Sequence, residues 1–295
     1  MPARSTVRVA VVGDVHLKWN ACDVEYFNDS DYDIVLFVGD LGNYRHKQSL
    51  VVAESMARLR VPALLLPGNH DAVFAAHLLA EIAQRSLAVE MLGLFGRSLT
   101  AELRASLGSV TQCGYSVHRV SGKGLSIVAG RPHAMGGSQL SFAPLLRREH
   151  DIVDLEASRR RYFELIDSVQ DERILLLAHN GPHGLGEKPD DIWGCDFRDA
   201  GGDFGDQDLT DAVAYAKRSG KQLVAVVAGH MHRRVRGGGQ RIWKRNVDDV
   251  LYVNAAEVPR IRRRHGRVVH HHVRVLVGNP TTAEDIWVPR PEARR

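Results

Sequence analysis

The chain of 295 residues has few cysteines and lacks any long apolar run. Its three cysteines, Cys22, Cys113 and Cys195, show no C-x-x-C spacing, which argues against a disulfide framework and against a thiolate zinc site. No stretch approaches the roughly 20 consecutive apolar residues that a membrane-spanning helix needs. Because the N-terminus enters a strand-like run at Val7 with no apolar secretory segment before it, we expect a cytoplasmic protein without a membrane partner.

The net charge of +4 hides an uneven distribution along the chain. Residues 231–295 hold 15 Lys and Arg against 6 Asp and Glu, whereas the preceding residues are acidic overall. Clustered arginines attract phosphate, so the segment RIRRRHGRVVHHHVRV could bind an anionic partner. A solvated strand and loop in an arginine-rich protein is the simpler account.

Three consecutive histidines in the same segment raise the question of a separate metal site. If they lie in a strand, His270 and His272 share one face and His271 points to the other. A surface site with two imidazoles is therefore conceivable. Solvent-facing histidines on an edge strand are the simpler interpretation.

Five apolar runs share one design, in which four to six Val, Leu, Ile and Ala residues end at Gly or at a polar residue. Such runs are typical of strands that are buried on both faces. They are VRVAVVG (7–13), DIVLFVG (33–39), VPALLLPG (61–68), ERILLLA (172–178) and QLVAVVAG (222–229).

Helical spacing appears between these runs, for example in QSLVVAESMARLR and DLTDAVAYAKRSG. Alternating strands and helices predict an α/β layered fold. A later set of strand-like segments predicts a second sheet, so we expect two packed sheets with helices outside. They are YSVHRV, LSIVAG, VLYVNAA, VVHHHVRVLV and EDIWVP. With no internal repeat or low-complexity linker, we expect residues 1–295 to form a single domain.

Polar side chains follow each of the five buried runs. In open α/β sheets, ligands bind outside the carboxyl ends of the strands, so these groups should converge on one crevice. Residues two apart in an extended chain point the same way, which lets one strand end supply two side chains. The side chains are Asp14, His16, Asp40, Asn69, His70, Asp71, His179, His230 and His232.

This set mixes imidazole nitrogen with carboxylate and carboxamide oxygen. Such donors suit Mn²⁺, Fe or Zn²⁺ better than Ca²⁺ or Mg²⁺. Four imidazoles, two carboxylates and one carboxamide from this set make seven ligands, which are too many for one tetrahedral ion but fit two ions that share a bridging carboxylate. Taken singly, each motif could be a turn or a structural histidine; turns alone do not explain four histidines at the ends of such strands.

The ordered motifs GDVH, GDLGN, GNHD, AHNGPHG and GHMH, between residues 13 and 232, resemble those of the calcineurin-like metallophosphoesterases. The resemblance implies an α/β fold in which helices enclose two mixed sheets, a four-layer α-β-β-α sandwich. It implies a hydrolase of phosphoric esters with two divalent or transition metal ions, Mn, Fe or Zn.

The resemblance also assigns roles to the motif residues. It implies that Asp14, His16 and His232 hold the first metal ion. It implies that Asn69, His179 and His230 hold the second ion, with Asp40 bridging both.

The resemblance makes His70 the residue that approaches the substrate, with Asp71 holding its ring. Two cations lower the pKa of a bound water and neutralise the phosphoryl oxygens, which lets a hydroxide attack in line. The leaving alkoxide then needs a proton or a positive neighbour, and an imidazolium can supply either.

The chain departs from the protein Ser/Thr phosphatase branch, which is expected to show G-D-x-x-D-R-G and R-G-N-H-E where this chain has GDLGNYR and PGNHD. A phosphoprotein substrate is therefore disfavoured. A weaker likeness connects the chain to uncharacterised bacterial and plastid-type members that share an HNGP-x-GLG segment and a GGD-x-GD loop.

Three further residues are candidates for substrate contact. They are Asn43, Arg131 and His133, the last two in the segment GRPHAMGGS that follows an apolar strand. A structural turn explains that segment equally well.

Residues 181–208 show neither helical nor strand periodicity and are rich in glycine, which is typical of a lid or binding loop. Negative charge in this loop would oppose the binding of a long polyanion over it. Its aromatic residues could stack a base, although packing of the loop is the favoured interpretation. The acidic residues are Asp190, Asp191, Asp196, Asp199, Asp203, Asp206 and Asp208, and the aromatic ones Trp193, Phe197 and Phe204.

The leading hypothesis is therefore a dimetal hydrolase of small phosphomonoesters or phosphodiesters, including nucleotides, acting on a small phosphorylated substrate. A nuclease is the second hypothesis, in which the basic C-terminal region would track backbone phosphates and binding would weaken steeply with salt. A non-catalytic, metal-stabilised scaffold is the third. The oligomeric state cannot be inferred from the sequence.

Overall fold

The computed structural model describes residues 6–71, 74–93, 96–198 and 200–290. In these ranges the strands are β1 (Val7–Val12), β2 (Ile34–Phe37), β3 (Ala63–Leu65), β4 (Thr111–Gln112), β5 (Ser116–Val120), β6 (Leu125–Ala129), β7 (Arg173–Leu177), β8 (Gln222–Ala228), β9 (Lys244–Val247), β10 (Val250–Asn254), β11 (Ile261–Arg264), β12 (Arg267–Val277) and β13 (Thr282–Pro289). The helices are α1 (Ala21–Asn28), α2 (His46–Met56), α3 (Ala75–Ile82), α4 (Ser86–Gly93), α5 (Gly96–Ser106), α6 (Ala143–His150), α7 (Leu155–Ser168) and α8 (Gln207–Arg218).

The strands form two mixed sheets. The first has the order β11-β12-β1-β2-β3-β4, with β13 also paired to β12, and its β1, β2, β3 and β4 run parallel. The second has the order β5-β6-β7-β8-β10-β9, with a parallel centre from β6 to β10. All five apolar runs of the sequence lie in these parallel regions, as β1, β2, β3, β7 and β8.

Three hydrophobic clusters define the layers. The central one joins Val9 and Val11 of β1 to Leu175 of β7 and Val227 of β8, so the two sheets pack face to face. Outer clusters cover the first sheet with residues of α1, α2 and α5, and the second sheet with residues of α7 and α8. The predicted four-layer α-β-β-α sandwich is confirmed. That residues 1–295 form one domain stays a prediction.

Strand β12 corrects the interpretation of the three histidines. It pairs with β1 and β11 on one side and with β13 on the other, so it is an inner strand. His270, His271 and His272 are all buried and not solvent-facing. Their predicted alternation is confirmed, since His272 contacts Tyr32 whereas His271 contacts Asp285.

The basic segment around these histidines is also held by internal contacts. Arg262 and Arg264 lie 4.4 and 4.5 Å from the centre of the Trp287 ring, and Arg262 pairs with Glu257 at 2.7 Å. Arg260 is buried. These arginines therefore serve the fold of the first sheet.

In the described residues, no helix combines the length and the apolar character needed to cross a bilayer.

A buried charged cluster fixes helix α1 to the end of the first sheet. Asp23 of α1 accepts a hydrogen bond of 2.8 Å from Arg260, and His270 Nδ1 lies 2.9 Å from the same carboxylate. Burial raises the pKa of Asp23, but the charge of Arg260 and the contact with His270 outweigh it and lower the pKa to about 2. Asp23 therefore stays ionised down to strongly acidic pH.

We expect Asp23→Asn to lower the free energy of unfolding at pH 7 by about 3 kcal/mol or more, because Arg260 would be left buried without its counter-charge. Since the folded pKa lies below the ordinary value, the stabilisation is fully present above about pH 4 and is lost as the pH falls through about 2. Urea unfolding at several pH values measures the difference.

Asp31→Asn is the matched control. Its ion pair with Arg8 is solvent-exposed, so its loss should cost less than about 1 kcal/mol. Equal unfolding free energies for the two variants at pH 7 would contradict the structural importance of the buried pair.

Candidate metal centre

The ends of five parallel strands bring the predicted ligands into one pocket between the sheets. Asp14, Asp40 and Asn69 follow β1, β2 and β3 of the first sheet, and His179 and His230 follow β7 and β8 of the second. His16 and His232 come two residues after Asp14 and His230. Both sheets must therefore be in place for the pocket to exist.

The first cluster consists of Asp14, His16 and His232, whose ligand atoms all lie within 4.8 Å of one another. The two Nε2 atoms of His16 and His232 are 3.2 Å apart. Asp14 Oδ2 lies 3.4 Å from His232 Nε2. This is the trio that the sequence predicts for the first ion.

The second cluster consists of Asp40, His179 and His230, again within 4.8 Å, and Asn69 joins it. Asn69 Oδ1 lies 2.8 Å from His179 Nε2 and 3.0 Å from His230 Nδ1. His179 Nε2 is 3.6 Å from Asp40 Oδ1. This group matches the predicted second set.

Asp40 lies between the two clusters. Its Oδ1 faces His179 at 3.6 Å, and its Oδ2 faces His16 Nε2 at 3.8 Å. Its Oδ1 also accepts a hydrogen bond of 2.9 Å from the backbone N–H of His70, which orients the carboxylate. One oxygen towards each cluster is the arrangement that a bridging ligand needs.

The hydrogen bonds around the imidazoles test whether cations fit. His16 Nδ1 lies 3.0 Å from the carbonyl oxygen of Gly42, and His179 Nδ1 lies 2.6 Å from that of Val38. These Nδ1–H groups donate to the carbonyls, so in each neutral ring Nε2 carries the lone pair.

The free lone pairs then face other acceptors. His179 Nε2 faces Asn69 Oδ1, and His16 Nε2 faces His232 Nε2. Asp14 Oδ2 is buried and has no hydrogen-bond partner in the described residues. Acceptors that converge without a donor are suited to a cation, so the residues fit two metal ions.

The electrostatics of the carboxylates agree with this fit. Burial raises the pKa of Asp14, but the close contact with His232 and the charge of that ring outweigh it and hold the pKa well below its usual range. Burial likewise raises the pKa of Asp40, and the charges of His179 and His70 produce a net lowering. Both carboxylates are therefore ionised at neutral pH.

The imidazoles divide into two kinds. Burial and the neighbouring His179 lower the pKa of His230 to about 3, so its ring is neutral and available as a ligand. Burial also lowers the pKa of His179 and of His232, but Asp40 and Asp14 outweigh burial and raise both. These two rings therefore lie in a negative field that favours positive charge.

Three candidate ligands have left-handed backbone conformations, which are uncommon for residues other than glycine. The φ angles are +41° for His16, +53° for Asp40 and +64° for His230. Each such conformation costs of order 1 kcal/mol or more and persists only where the surroundings enforce it. The fold thus keeps unfavourable backbone conformations at the strand ends, and these conformations direct the side chains into the pocket.

Two motif glycines allow the close packing around the carboxylates. A Cβ on Gly68 would lie 2.2 Å from Asp40 Oδ1 and 2.5 Å from His179 Cε1. A Cβ on Gly229 would lie 2.3 Å from Asp14 Oδ1. The glycines of GNHD and GHMH therefore leave the space that the ligands occupy.

His70 and Asp71 lie beside the pocket, but their contacts differ from the expected pair. Asp71 Oδ1 accepts from Leu41 N–H at 2.9 Å, and its Oδ2 accepts from Gly68 N–H at 3.0 Å. His70 Nδ1 instead contacts the carbonyl oxygen of Asn43. The expectation that Asp71 holds the His70 ring is corrected, since Asp71 binds the backbone of the two loops that carry Asp40 and Asn69.

The other candidates for substrate contact lie in different environments. Arg131 is buried and pairs with Asp206 and Asp208, so it does not face the pocket. His133 is buried, and its Nδ1 lies 2.8 Å from the Gly68 carbonyl oxygen. Asn43 Oδ1 lies 3.0 Å from His16 Nδ1 and helps to orient that ring. We leave Arg131 and His133 out of the proposed substrate contacts.

A cavity of about 630 Å³ adjoins the second cluster. Arg198, Arg234 and Arg236 line it, and sequence analysis missed all three. The signal for two of them was the run HMHRRVR, in which every second residue after His232 is an arginine. Asp199, one of the acidic residues of loop 181–208, lies outside the described residues.

Comparison with known proteins agrees with this geometry. Residues 7–234 match the family model for the calcineurin-like phosphoesterases. No curated protein matches the chain. The chain belongs to the calcineurin-like phosphoesterase family, whose members cleave phosphoric esters with the help of metal ions.

Solved structures share the fold at low sequence identity. One crystal structure aligns with a TM-score of 0.55 at 8% identity and covers 96% of this chain and 99% of its own. The crystal structure of TT1561 from Thermus thermophilus aligns with a TM-score of 0.50 at 10% identity, over 91% and 94% of the two chains. Both are similar in fold alone.

We expect Gly68→Ala to reduce the bound metal after reconstitution with Mn²⁺, because the added Cβ would displace both Asp40 and His179. Elemental analysis of the dialysed protein gives the metal content per chain. The control is Gly278→Ala, where the nearest atom to the new Cβ is 3.6 Å away. Wild-type metal content in the Gly68 variant would show that the contact is easily relieved.

Proposed function

We propose that this chain is a dimetal phosphoesterase that hydrolyses small phosphomonoesters or phosphodiesters, nucleotides included. The observation that carries the proposal is the Asp40 carboxylate, which turns one oxygen to each of two convergent ligand clusters. Asp14, His16 and His232 would hold one ion, and Asn69, His179 and His230 the other. Mixed nitrogen and oxygen donors favour Mn, Fe or Zn.

Two bound cations would neutralise charge on the phosphoryl oxygens and lower the pKa of water, which supplies a nucleophile at neutral pH. The protein contributes the positions of the ligands. Gly42 and Val38 carbonyls fix the His16 and His179 rings, so that Nε2 of each points into the pocket. The hydrogen bond from His70 N–H fixes Asp40 in the same way.

His70 is the proposed proton donor to the leaving oxygen. Its Nδ1 contacts the Asn43 carbonyl oxygen, which holds the ring by that edge and leaves Nε2 for the substrate. The ring lies edge-on to His16 and Tyr44, both at 5.2 Å between centroids, and it lines the cavity. A protonated ring there can give a proton to the alkoxide or stabilise its charge.

The loop that follows β7 bears on the choice between small substrates and nucleic acid. Asp203 accepts from three backbone N–H groups, and Asp206 and Asp208 pair with Arg131. The expected negative field of this loop over the pocket is therefore weaker than its composition indicates. The charge of this loop therefore gives little reason to exclude nucleic acid as a substrate, so the assays include single-stranded DNA beside the small esters.

Hydrolysis assays with Mn²⁺ test the proposal. The substrates are p-nitrophenyl phosphate, bis(p-nitrophenyl) phosphate, a cyclic nucleotide and single-stranded DNA. We expect turnover of at least one of the small esters that is abolished by EDTA. Turnover of DNA alone would favour the nuclease, and no turnover of any substrate would favour the scaffold.

We expect Asp40→Asn to lower the occupancy of both metal positions together, because the amide offers one neutral oxygen where the carboxylate offers two charged ones. Anomalous scattering from crystals of the Mn²⁺-loaded variant measures each position separately. Loss of one ion with full retention of the other would contradict the bridging role.

We expect His70→Ala to lower kcat by about 10²- to 10⁴-fold, the range for loss of a general acid, while the Mn²⁺ content stays near that of the wild type. The metal content should persist because the backbone N–H of His70, which contacts Asp40, is retained. His265→Asn, at an exposed turn, is the control. If His70→Ala loses its metal, the residue supports the site and the proton-donor role fails.

A further inference from the structure

The cavity beside the proposed metal centre is larger than a phosphate group requires. Its volume of about 630 Å³ falls in the range of roughly 300–1,000 Å³ typical of pockets that enclose a whole small molecule. One end of it is formed by His70 and by four of the proposed metal ligands, Asp40, Asn69, His230 and His232. The remaining walls are therefore available to parts of a substrate beyond the reacting phosphate.

One wall is a short stretch with strictly alternating burial. From Met231 to Arg236, buried and exposed residues alternate, and the exposed ones, His232, Arg234 and Arg236, all line the cavity. A chain spans at most about 3.6 Å per residue, which places the Arg234 backbone within about 7 Å of the His232 backbone. A metal ligand and two arginines thus follow one another along the wall.

The two arginines are available to a ligand. In the described residues, no carboxylate lies within ion-pair distance of the side chain of Arg234 or Arg236. The nearest acidic wall residue, Asp196, pairs with Arg241 at 3.3 Å and accepts from the Arg236 backbone N–H at 2.8 Å. Guanidinium groups that have no counter-charge among the described residues and lie next to a cavity favour the binding of an anion in addition to the reacting phosphate.

The facing loop supplies an aromatic surface. The rings of Phe197 and Phe204 lie 4.8 Å apart and nearly perpendicular, and Arg198 lies 4.9 Å from the centre of the Phe204 ring. Phe197 is 39% exposed, whereas Trp193 of the same loop is fully buried. The expected packing role thus holds for Trp193, while Phe197, with Arg198 5.9 Å from the centre of its ring, keeps an exposed area for stacking on a planar group.

We propose that the wall of Arg234 and Arg236 and the aromatic surface of Phe197 together bind a nucleotide that carries a phosphate next to the one that is hydrolysed. This assignment rests on the proposed function. The metal ligands receive the reacting phosphate, the arginines receive its neighbour, and the base stacks on Phe197. A monoester without a base or second phosphate uses only one end of the cavity.

Equilibrium binding to the Mn²⁺-loaded protein tests the assignment without relying on turnover. The probe is α,β-methylene-ADP, whose bridge between the phosphorus atoms resists hydrolysis, and inorganic phosphate is the reference for the metal end. Calorimetry gives both dissociation constants. We expect the nucleotide to bind the wild type at least tenfold more tightly than phosphate.

The variants separate the contacts. Arg234→Ala and Arg236→Ala should each weaken the nucleotide roughly tenfold, relative to phosphate, because a charge-assisted hydrogen bond is lost. Phe197→Ala should weaken it roughly fivefold or more, because the stacking surface is lost. Arg245→Ala, which removes an equal charge from exposed strand β9, is the control and should change neither constant.

Three results would overturn the assignment. Binding of the nucleotide by both arginine variants as tightly as by Arg245→Ala would show that the wall does not contact it. Equal affinity for nucleotide and phosphate in the wild type would show that the cavity beyond the metal end adds nothing to binding. If a single-stranded decanucleotide binds tenfold more tightly than α,β-methylene-ADP, the ligand class is nucleic acid and not a single nucleotide.

Failure of this assignment differs from failure of the proposed function. If the wild type hydrolyses p-nitrophenyl phosphate with Mn²⁺ but the variants bind the nucleotide normally, only the substrate class is wrong. If the wild type hydrolyses none of the esters, the phosphoesterase proposal itself fails.

Discussion

The buried carboxylate of Asp40 is the constraint on which the rest of the site depends. It lies where the two sheets meet, with His16 on one side and His179 on the other, and burial alone would favour its neutral form. The surrounding imidazoles reverse that preference. The left-handed backbone of Asp40, the missing side chain at Gly68 and the hydrogen bond from His70 all serve to hold this one group in place.

Most of the fold could be predicted because strand burial leaves a direct trace in the sequence. A strand buried on both faces needs apolar residues at nearly every position, and in VRVAVVG and QLVAVVAG only the exposed Arg8 and Gln222 depart from this. Within each sheet the parallel strands end at one edge, and the face-to-face packing of the two sheets then brings Asp14 of the first next to His230 of the second. Two residues that are 216 positions apart in sequence are within hydrogen-bond distance for that reason.

Side-chain contacts inside loops could not be predicted, because the side chains of adjacent residues need not point towards each other. Asp71 follows His70 directly, yet it binds the backbone at Leu41 and Gly68. Arg131 looked like a free cation near a strand end, and two carboxylates more than seventy residues away neutralise it. The position of a strand within its sheet is equally invisible in the sequence, which is why the three histidines of β12 were expected to face solvent on an edge strand, whereas β12 is paired on both sides.

The proposed ligands are divided between the two sheets, an arrangement that would link metal binding to the stability of the whole chain. Asp14 and Asn69 belong to one sheet and His179 and His230 to the other, so an ion bound by both sets would hold the two sheets together. An unfolded chain cannot offer that arrangement, and mass action would then add about 2.7 kcal/mol of stability at a hundredfold excess over the dissociation constant. Scarcity of metal in the cell would thus reduce the amount of folded protein as well as its activity.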